Sequence, residues 1–325
     1  MRVVVTGALG HIGSRLIREL PAALPGVEIV MIDNLATERY ASLFDLPAHG
    51  RYQFVEADVL TADLARLFAG ADAVVHLAAL TNWARTDLHQ QMERVNVAGT
   101  ERVARACIEA GAPLLFPSTT SVYGVAGVVT EACDAPDLRP QSEYAEWKLH
   151  SERTLRSMSE HDGLRMLIFR MGTIFGPSIG MRFHTAVNRF CWQAVLGQPM
   201  TVWRTAIDQL RPYLDLSDAV RAMIFVLRHQ LFDSRVYNVV TLNTTVAEVV
   251  QVISAVVPTA QIAYVDSPLM NTLSYYVEGR RFERAGFEFT GSLDRGVRDT
   301  VAMLTAAGSH LLRELAADRD EGRLR

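Results

Sequence analysis

The amino-terminal stretch is the feature that most constrains the fold of this chain. It reads RVVVTGALGHIGSRL, with Gly7, Gly10 and Gly13 between an apolar, β-branched run and an amphipathic helical pattern. A strand, a glycine turn and a helix in this order begin a parallel β-α-β unit. Such glycines allow a tight turn, bring backbone close to a pyrophosphate and let the helix pack against the strand. The helix N-terminus adds N–H groups and a positive dipole end. The turn therefore suits a dinucleotide, and a glycine turn without a ligand is the alternative.

Short apolar runs recur after this turn and alternate with helical patterns. They are VEIVMID, YQFVEAD, ADAVVHLAA, APLLFPS and LRMLIFR. Continuous apolar strands belong to a sheet that is covered on both faces. We therefore predict an α/β fold of the Rossmann type, with a doubly wound parallel sheet.

A change of pattern after residue 172 predicts two domains. Residues 1–172 are predicted to form a Rossmann domain, to which 214–240 return through a helix, DLSDAVRAMIFVLRHQ, and a strand, RVYNVV. Residues 173–213 and 241–325 are predicted to form a smaller, mixed α/β substrate-binding domain. Within it, SIGMRFHTAVNRFCWQAVLGQP is predicted to be a helix closed by Gly197 and Pro199. The final stretch, ELAADRDEGRLR, is predicted to be a fraying helix or a solvated tail.

Composition argues against several classes of protein. The formal net charge is −4, so nucleic acid is an unfavourable partner for this chain. Cys107, Cys133 and Cys191 form no C-x-x-C pair, which favours neither a disulfide framework nor a metal site. We see no secretory leader and no apolar run that could span a bilayer. The expectation is a cytoplasmic protein that binds no metal, nucleic acid or membrane.

Asp33 ends the second apolar run, 20 residues after Gly13. A carboxylate at this place can accept hydrogen bonds from an adenosine ribose. It would repel a 2′-phosphate, and Asn34 follows it rather than an arginine, so NAD is favoured over NADP. A surface aspartate in a loop is the alternative for this residue taken singly.

Tyr144 and Lys148 share one face of a predicted helix, because they lie four residues apart. A nearby ammonium favours the phenolate, which makes the tyrosine usable as a base. The sequence FPSTTSVYG follows the predicted strand APLLF and brings Thr119 to the carboxyl edge of the sheet, where doubly wound folds bind their ligands. A solvated helix face and a polar loop are the alternatives when each residue is considered separately.

The ordered set of motifs is more specific than any one of them. TGALGHIG, Asp33, HLAA, Asn96, STTSVYG, YAEWK and RPYLDLSD occur in this order. Together they resemble the extended short-chain dehydrogenase/reductase family, and most closely its NAD-dependent nucleotide-sugar epimerase/dehydratase branch, which includes proteins similar to UDP-glucose 4-epimerase. The resemblance covers nearly the whole chain. It implies that Tyr144 is the acid/base, that Lys148 lowers its pKa and binds the nicotinamide ribose, and that Thr119 orients the reacting sugar oxygen.

The resemblance also implies two sets of binding residues. For NAD they are Gly7, Gly10, His11, Ile12, Gly13, Asp33, Asn34, Asp58, Val59, Leu77, Ala78, Ala79, Asn96, Tyr144 and Lys148. For a nucleotide-diphosphate sugar they are Thr81, Thr119, Thr120, Ser121, Tyr144, Thr173 and Arg211. Asp58 and Val59 would contact the adenine, and Arg211 would meet the substrate's diphosphate, for which an arginine fork is well suited.

Two positions discriminate among the reactions of the branch. Its 4,6-dehydratases carry Asp-Glu where this chain has Thr120 and Ser121, and its 3,5-epimerizing members carry a cysteine at the place of Ser121. The remaining Thr119, Tyr144 and Lys148 imply epimerization at C4 through a transient 4-keto-sugar and enzyme-bound NADH. The alternatives are an NAD(P)H-dependent 4-keto-sugar reductase, a nucleotide-sugar dehydratase and a non-catalytic NAD-binding module that senses redox state. The complete catalytic set tells against the last.

Two departures from the branch leave the nucleotide open. Thr173 stands where an asparagine is usual, and the stretch VWRTAIDQLR before the phosphate arginine has no glycine. Trp203 and Arg204 could contact a different base, although a packed core tryptophan is the simpler interpretation. The resemblance further implies a homodimer through the helices QMERVNVAGTERVARACIEA and EYAEWKLHSERTLRSM.

Overall fold

A computed structural model describes residues 1–81, 89–124, 127–132, 137–266 and 274–305. Cys133 and the predicted tail at 314–325 lie outside these residues. The strands are β1 (Arg2–Thr6), β2 (Glu28–Asp33), β3 (Arg51–Glu56), β4 (Ala73–His76), β5 (Leu114–Thr119), β6 (Gly127–Val129), β7 (Met166–Met171), β8 (Thr173–Phe175), β9 (Met200–Trp203), β10 (Leu210–Asp215), β11 (Val236–Val239), β12 (Leu242–Thr245), β13 (Ile262–Val265) and β14 (Tyr275–Val277). The helices are α1 (His11–Ala23), α2 (Leu64–Phe68), α3 (His89–Glu93), α4 (Thr100–Ala110), α5 (Glu143–His161), α6 (Ala186–Val195), α7 (Leu216–His229), α8 (Val246–Val256) and α9 (Arg280–Arg284).

A seven-stranded parallel sheet forms the centre of the molecule, in the order β11-β7-β5-β4-β1-β2-β3. Each apolar run predicted as a strand belongs to it, from RVVVT to RVYNVV. The chain runs outward in both directions from β1, so the direction of winding reverses between β1 and β4. The predicted doubly wound Rossmann fold is therefore confirmed.

Side chains of the central strands alternate between two apolar layers. On β1, Val3 and Val5 pack in one layer with α1 and α7, while Val4 packs in the other with α4 and α5. All three valines are fully buried. This alternation follows from the two-residue period of a strand, and it explains why these strands lack the polar positions of a half-exposed sheet.

Three small sheets accompany the central one. They are β12-β10-β8, β13-β9 and β14-β6. The helix predicted to start near Ser178 begins only at Ala186, and its predicted closure holds, since Gly197 has φ +66°. The preceding residues form a loop because Gly180 packs against the carbonyls of Leu9 and Gly10, where a side chain would collide.

Residues 89–110 form one continuous helix with a change of pitch in the middle. A π-helical segment, Arg94–Gly99, joins α3 to α4 and carries Asn96. Single π turns inside helices often occur at functional sites. Among the residues that the structure describes, no helix combines the length and apolarity that crossing a bilayer would need.

Candidate active site

The predicted binding residues converge on one edge of the central sheet. The glycine turn follows β1, Asp33 ends β2, Asp58 follows β3 and the HLAA sequence begins at the end of β4. Thr119 ends β5. Ligands of open α/β sheets bind beyond the carboxyl ends of the strands, where the winding reverses, so the fold brings these segments together at such a position.

The glycine turn is tightly packed against the chain that leaves β4. Gly7 has φ +64°, and a Cβ there would lie 2.5 Å from the nitrogen of Ala78. A Cβ on Gly13 would lie 2.6 Å from the carbonyl oxygens of both Gly7 and Ala8. Gly10 is the N-cap of α1 and offers no side chain. The N–H groups of His11 and Ile12 in the first helical turn are thus open to a ligand.

The ends of β2 and β3 are joined by polar side chains. Asp33 accepts hydrogen bonds from the backbone nitrogens of Leu9 (3.1 Å) and Leu35 (3.0 Å). Asn34 donates through Nδ2 to Asp58 Oδ2 (2.9 Å). Val59, next to Asp58, is buried. The structure therefore brings together the residues predicted to contact the adenosine.

The HLAA segment, His76–Ala79, is fixed by its neighbours. His76 Nδ1 lies 2.7 Å from Thr6 Oγ1 and its Nε2 lies 3.2 Å from Thr100 Oγ1. Burial and the nearby charge of Lys148 lower the pKa of His76 to about 3, so its ring is neutral. Asn96 exchanges two hydrogen bonds with the backbone of Leu80, at 3.0 and 2.8 Å. Leu77, Ala78 and Ala79 thus line the edge of the sheet with a defined backbone.

The three hydroxyl residues after β5 have different surroundings. Thr119 is half-buried, and its Oγ1 accepts a hydrogen bond from the nitrogen of Ser121 (3.2 Å). Ser121 is also half-buried. Thr120 is buried, with its Oγ1 3.4 Å from the hydroxyl of Tyr275 on β14. Thr119 and Ser121 are therefore the more accessible to a substrate.

Tyr144 and Lys148 lie on the first turns of α5, which starts at the N-cap Ser142. Lys148 is 5% exposed, donates to the carbonyl of Pro117 (2.9 Å) and lies 4.5 Å from the Phe116 ring centre. Burial lowers its pKa to about 8, opposed by the charge of Glu152. Burial raises the pKa of the Tyr144 phenol, opposed by the charge of Arg182. The influence of Lys148 on Tyr144 stays a prediction.

A buried ion pair, which sequence reasoning missed, fixes α5 to the sheet. Glu152 on α5 and Arg170 on β7 are each 1% exposed and lie 2.7 Å apart. Ser118 donates to the same carboxylate at 2.5 Å. The pair therefore sets the position of α5 relative to the end of β5, where Thr119 lies. Neither residue belongs to a local motif that could have revealed the pairing.

The residues predicted to bind the substrate's phosphates lie on the sheet β12-β10-β8. Thr173 on β8 is exposed and pairs with Tyr213 on β10. Arg211 lies two residues before Tyr213, donates to Gln209 Oε1 (2.7 Å) and lies over the Tyr275 ring. Thr173 and Arg211 are thus on adjacent strands, with Arg211 two residues from the position that pairs with Thr173.

The described residues fit a dinucleotide such as NAD. At Gly7 and Gly13 the backbone packs so closely that a side chain could not be accommodated, and the first turn of α1 has no side-chain cap. The carboxylate of Asp33 stands at the adjacent strand end, where a ribose would lie. These features match the pattern of a pyrophosphate at a helix N-terminus with its ribose on the following strand.

Sequence reasoning also missed a group of cations beside the glycine turn. Arg39 follows β2 and donates to the carbonyl of Gly180. Arg182 donates to Thr81 Oγ1 (2.8 Å), which places predicted substrate residue Thr81 next to a guanidinium. Because 178–185 was interpreted as part of a helix, nothing in the sequence pattern assigned Arg182 to the site.

Comparison with known proteins identifies relatives of this chain. The model of the NAD dependent epimerase/dehydratase family matches residues 3–239. The chain is 31% identical over 237 residues to the uncharacterized UDP-glucose epimerase YtcB of Bacillus subtilis (strain 168), covering 70% of this chain and 72% of that protein. It is 30% identical over 313 residues to a dTDP-glucose 4,6-dehydratase of Streptomyces griseus, covering 92% and 93%.

A solved structure extends the likeness to three dimensions. MoeE5 in complex with UDP-glucuronic acid and NAD superimposes with a TM-score of 0.81 and 27% identity, over 95% of this chain and 100% of that one. The family match spans β1 to β11 and thus the entire central sheet. On its sheet order, its glycine turn and this match, the chain belongs to the NAD dependent epimerase/dehydratase family.

Proposed function

We propose that this protein is an NAD-dependent epimerase that inverts C4 of a nucleotide-diphosphate sugar. The observation that carries the proposal is that Thr119 ends β5 while Tyr144 and Lys148 lie on α5, which a hydrogen bond from Lys148 to the carbonyl of Pro117 attaches to the same strand. Thr120 and Ser121, which follow Thr119, supply no carboxylate. Elimination of water needs an acid and a base at the sugar. The likeness to YtcB, an uncharacterized UDP-glucose epimerase, supports an epimerase reaction.

The chain's residues would divide the chemistry as follows. NAD, when bound, supplies the acceptor and then the donor of a hydride at the sugar carbon. Tyr144 removes the proton from the C4 hydroxyl and returns it after the sugar has turned over in the pocket. Thr119 donates a hydrogen bond that orients the reacting oxygen, and Lys148 contacts the nicotinamide ribose. Arg211 and Thr173 face the phosphates, since a guanidinium fork suits phosphate oxygens.

We propose that cofactor binding and substrate binding are divided between two domains. Residues 1–172 with 214–240 hold the cofactor, and 173–213 with 241–325 supply the substrate side, of which 306–325 lie outside the described residues. The return of β11 to pair with β7 supports this division.

We also propose a cytoplasmic homodimer that assembles through the helices at 91–110 and 143–158. Free, buried thiols at Cys107 and Cys191 are typical of a reducing compartment.

Conversion of a sugar nucleotide tests the proposal. The purified protein is incubated with UDP-, dTDP-, GDP- and CDP-sugars, including UDP-glucuronic acid, without added reduced cofactor. We expect one of them to reach an equilibrium mixture with its C4 epimer. Tyr144→Phe, which loses the acid/base but keeps the ring, should lower the rate by about 10²–10⁴-fold. No conversion of any substrate, or an unchanged rate in Tyr144→Phe, would contradict the proposal.

A further inference from the structure

A chain of hydrogen bonds through His76 joins the cofactor edge of the sheet to the helix that carries Asn96. The nitrogen of Ala78 donates to Thr6 Oγ1 (3.3 Å), and that oxygen lies 2.7 Å from His76 Nδ1. On the other side of the ring, Nε2 lies 3.2 Å from Thr100 Oγ1, which donates to the carbonyl of Asn96 (2.7 Å). These side chains are each at most 2% exposed. We call this series of groups the His76 chain.

The His76 chain ends against α5. Ser151, which is buried on α5, donates to the same carbonyl of Asn96 at 3.0 Å. Ser151 follows Lys148 by three residues, so the two side chains lie on one face of the helix. A second connection passes through the ring of Phe116, which stacks on His76 with 6.2 Å between the ring centres and lies 4.5 Å from the Lys148 ammonium. Contacts therefore join His76 both to the backbone that borders the cofactor and to the helix that carries Lys148.

The two threonine hydroxyls fix where the proton of His76 lies. A hydroxyl has one proton, and that of Thr100 is donated to the carbonyl of Asn96. Thr100 Oγ1 must therefore accept from the ring, so Nε2 carries the hydrogen. Thr6 Oγ1 accepts from the Ala78 nitrogen and donates its own proton to Nδ1. The ring is thus the neutral Nε2–H tautomer, and the bonds of the chain all run in one direction, from Ala78 to Asn96.

A buried chain of this kind tolerates little displacement. Burial and the charge of Lys148 lower the pKa of His76 to about 3, so Nδ1 remains an acceptor at neutral pH. A fully satisfied buried network favours one arrangement, because each unmade bond would leave a polar group without solvent. The Ala78 end is also restricted, since a Cβ on Gly7 would lie 2.5 Å from the Ala78 nitrogen. Displacement of His76 would therefore shift the glycine turn and α5 relative to each other.

We propose that His76, with its proton on Nε2, is a positioning residue that holds Lys148 in a fixed place relative to the cofactor-binding backbone. It acts through its bonds to Thr6 and Thr100, and its ring exchanges no proton during turnover. The inference rests on the proposed function, because it takes Lys148 and Tyr144 of α5 as the groups that act beside NAD. It adds to them a residue on β4 that determines where their helix lies.

Removal of one acceptor tests this role. Thr100→Val keeps the shape of the side chain but leaves the His76 Nε2–H without an acceptor. We expect kcat to fall by about 10–100-fold and NAD to bind more weakly, because Lys148 is displaced from the cofactor. The KM for the sugar nucleotide should stay nearly unchanged, since Thr173 and Arg211 lie on other elements.

Thr300→Val is the matched control. Thr300 is fully buried and, like Thr100, donates at 2.7 Å to the carbonyl four residues before it, which is that of Gly296. This variant should lose a similar amount of stability, measured by urea unfolding, but keep the kcat and the NAD affinity of the parent. Losses of kcat and NAD affinity in Thr300→Val that match those of Thr100→Val would overturn the proposal, because they would follow from lost stability alone.

A double variant separates one connected chain from two independent contacts. His76→Phe keeps a ring against Phe116 but loses both hydrogen bonds, so Thr100→Val then removes no further bond to His76. The enzyme with both substitutions should therefore be no slower than the slower single variant. A rate lowered by the product of the two single effects would show that the two residues act separately, and would overturn the proposal.

A further measurement does not depend on turnover. The ¹⁵N signals of the His76 ring, identified by their loss in His76→Phe, report which nitrogen carries the proton. We expect a protonated Nε2 and a bare Nδ1 that stay unchanged between about pH 5 and 9. Equilibrium dialysis should show weaker NAD binding in Thr100→Val and not in Thr300→Val. If both results hold and no sugar is converted, the proposed function fails and the role of His76 at the cofactor edge stands. A proton on Nδ1, or an unchanged NAD affinity in Thr100→Val, overturns that role.

Discussion

At the scale of single residues, Lys148 differs from every other residue of the chain in its side-chain type. It is the only lysine among 325 residues, whereas the chain has 31 arginines. Arginine keeps its proton and presents a wide fork, whereas lysine is compact and changes its pKa when buried. The site of Lys148, 5% exposed between the Phe116 ring and the carbonyl of Pro117, suits only a compact ammonium. We therefore expect that Lys148→Arg cannot replace it.

The titration of Lys148 can be observed directly. Incorporation of ¹⁵N-labelled lysine gives one side-chain signal in this protein, and we expect its titration midpoint near pH 8 because burial lowers the pKa from 10.5 to about 8. A midpoint near 10.5 would show that the ammonium is solvated. Selective labelling needs no assignment experiment, since no other lysine is present.

The same shift predicts how stability depends on pH. With its folded pKa below its unfolded pKa, Lys148 makes the unfolded chain bind more protons between pH 8 and 10.5. The free energy of unfolding should therefore rise with pH across this window, by up to ~3 kcal/mol from this group. Urea unfolding of the parent and of Lys148→Met measures it. The free energy of unfolding of the parent should rise relative to that of Lys148→Met as the pH rises from 8 to 10.5. A difference between the two proteins that stays constant over this range would contradict the account.

At the scale of secondary-structure elements, the turn between β1 and α1 depends on the absence of a side chain. Gly7→Ala would place a Cβ 2.5 Å from the nitrogen of Ala78, at φ +64°. Gly26→Ala is a matched control, since Gly26 has φ +79° but no atom within 4 Å of its Cβ position. Both variants incur the backbone cost of about 1–2 kcal/mol. Only Gly7→Ala should also lose its binding of NAD, which equilibrium dialysis measures. Equal NAD binding by the two variants would contradict this expectation.

The attachment of α5 to β7 depends on the buried pair Glu152 and Arg170. Glu152→Gln leaves the Arg170 guanidinium uncompensated at 1% exposure, so we expect a loss of about 3–5 kcal/mol in the free energy of unfolding. The exposed pair Glu101 and Arg105 on α4 is the control, and Glu101→Gln should leave the urea midpoint nearly unchanged. A similar, small effect of both substitutions would show that the buried pair does not fix α5.

At the scale of the whole molecule, the strands of the central sheet could be predicted from the sequence. Its strands are continuous apolar runs separated by helical patterns, and each lies in the predicted place because burial on both faces leaves little freedom in such a pattern. The loop between β8 and α6, residues 176–185, could not be predicted in this way. Its residues favour a helix locally, but Gly180 packs on the carbonyls of Leu9 and Gly10, a contact between residues far apart in sequence. The places of Arg182 and of the pair Glu152 and Arg170 could not be predicted for the same reason.

The same loop, residues 176–185, also predicts how the molecule unfolds. Because His11–Ser178 and Ser14–Gly180 join the cofactor turn to the second half of the chain, both halves should unfold together. NAD at a hundred times its dissociation constant adds about 2.7 kcal/mol to the folded state. Differential scanning calorimetry should show one transition that moves to higher temperature with NAD. Two transitions, of which one ignores NAD, would show that the loop does not couple the halves.

The central claim is that the hydrogen removed from C4 returns to C4 on the opposite face. The most direct measurement uses the converted sugar nucleotide with deuterium at C4, followed by mass spectrometry and NMR of the product. We predict a C4 epimer of unchanged mass that keeps its deuterium at C4, with no net consumption of nicotinamide cofactor. A product that has lost water and carries the deuterium at C6, or one that forms only as reduced cofactor is consumed, would contradict the account.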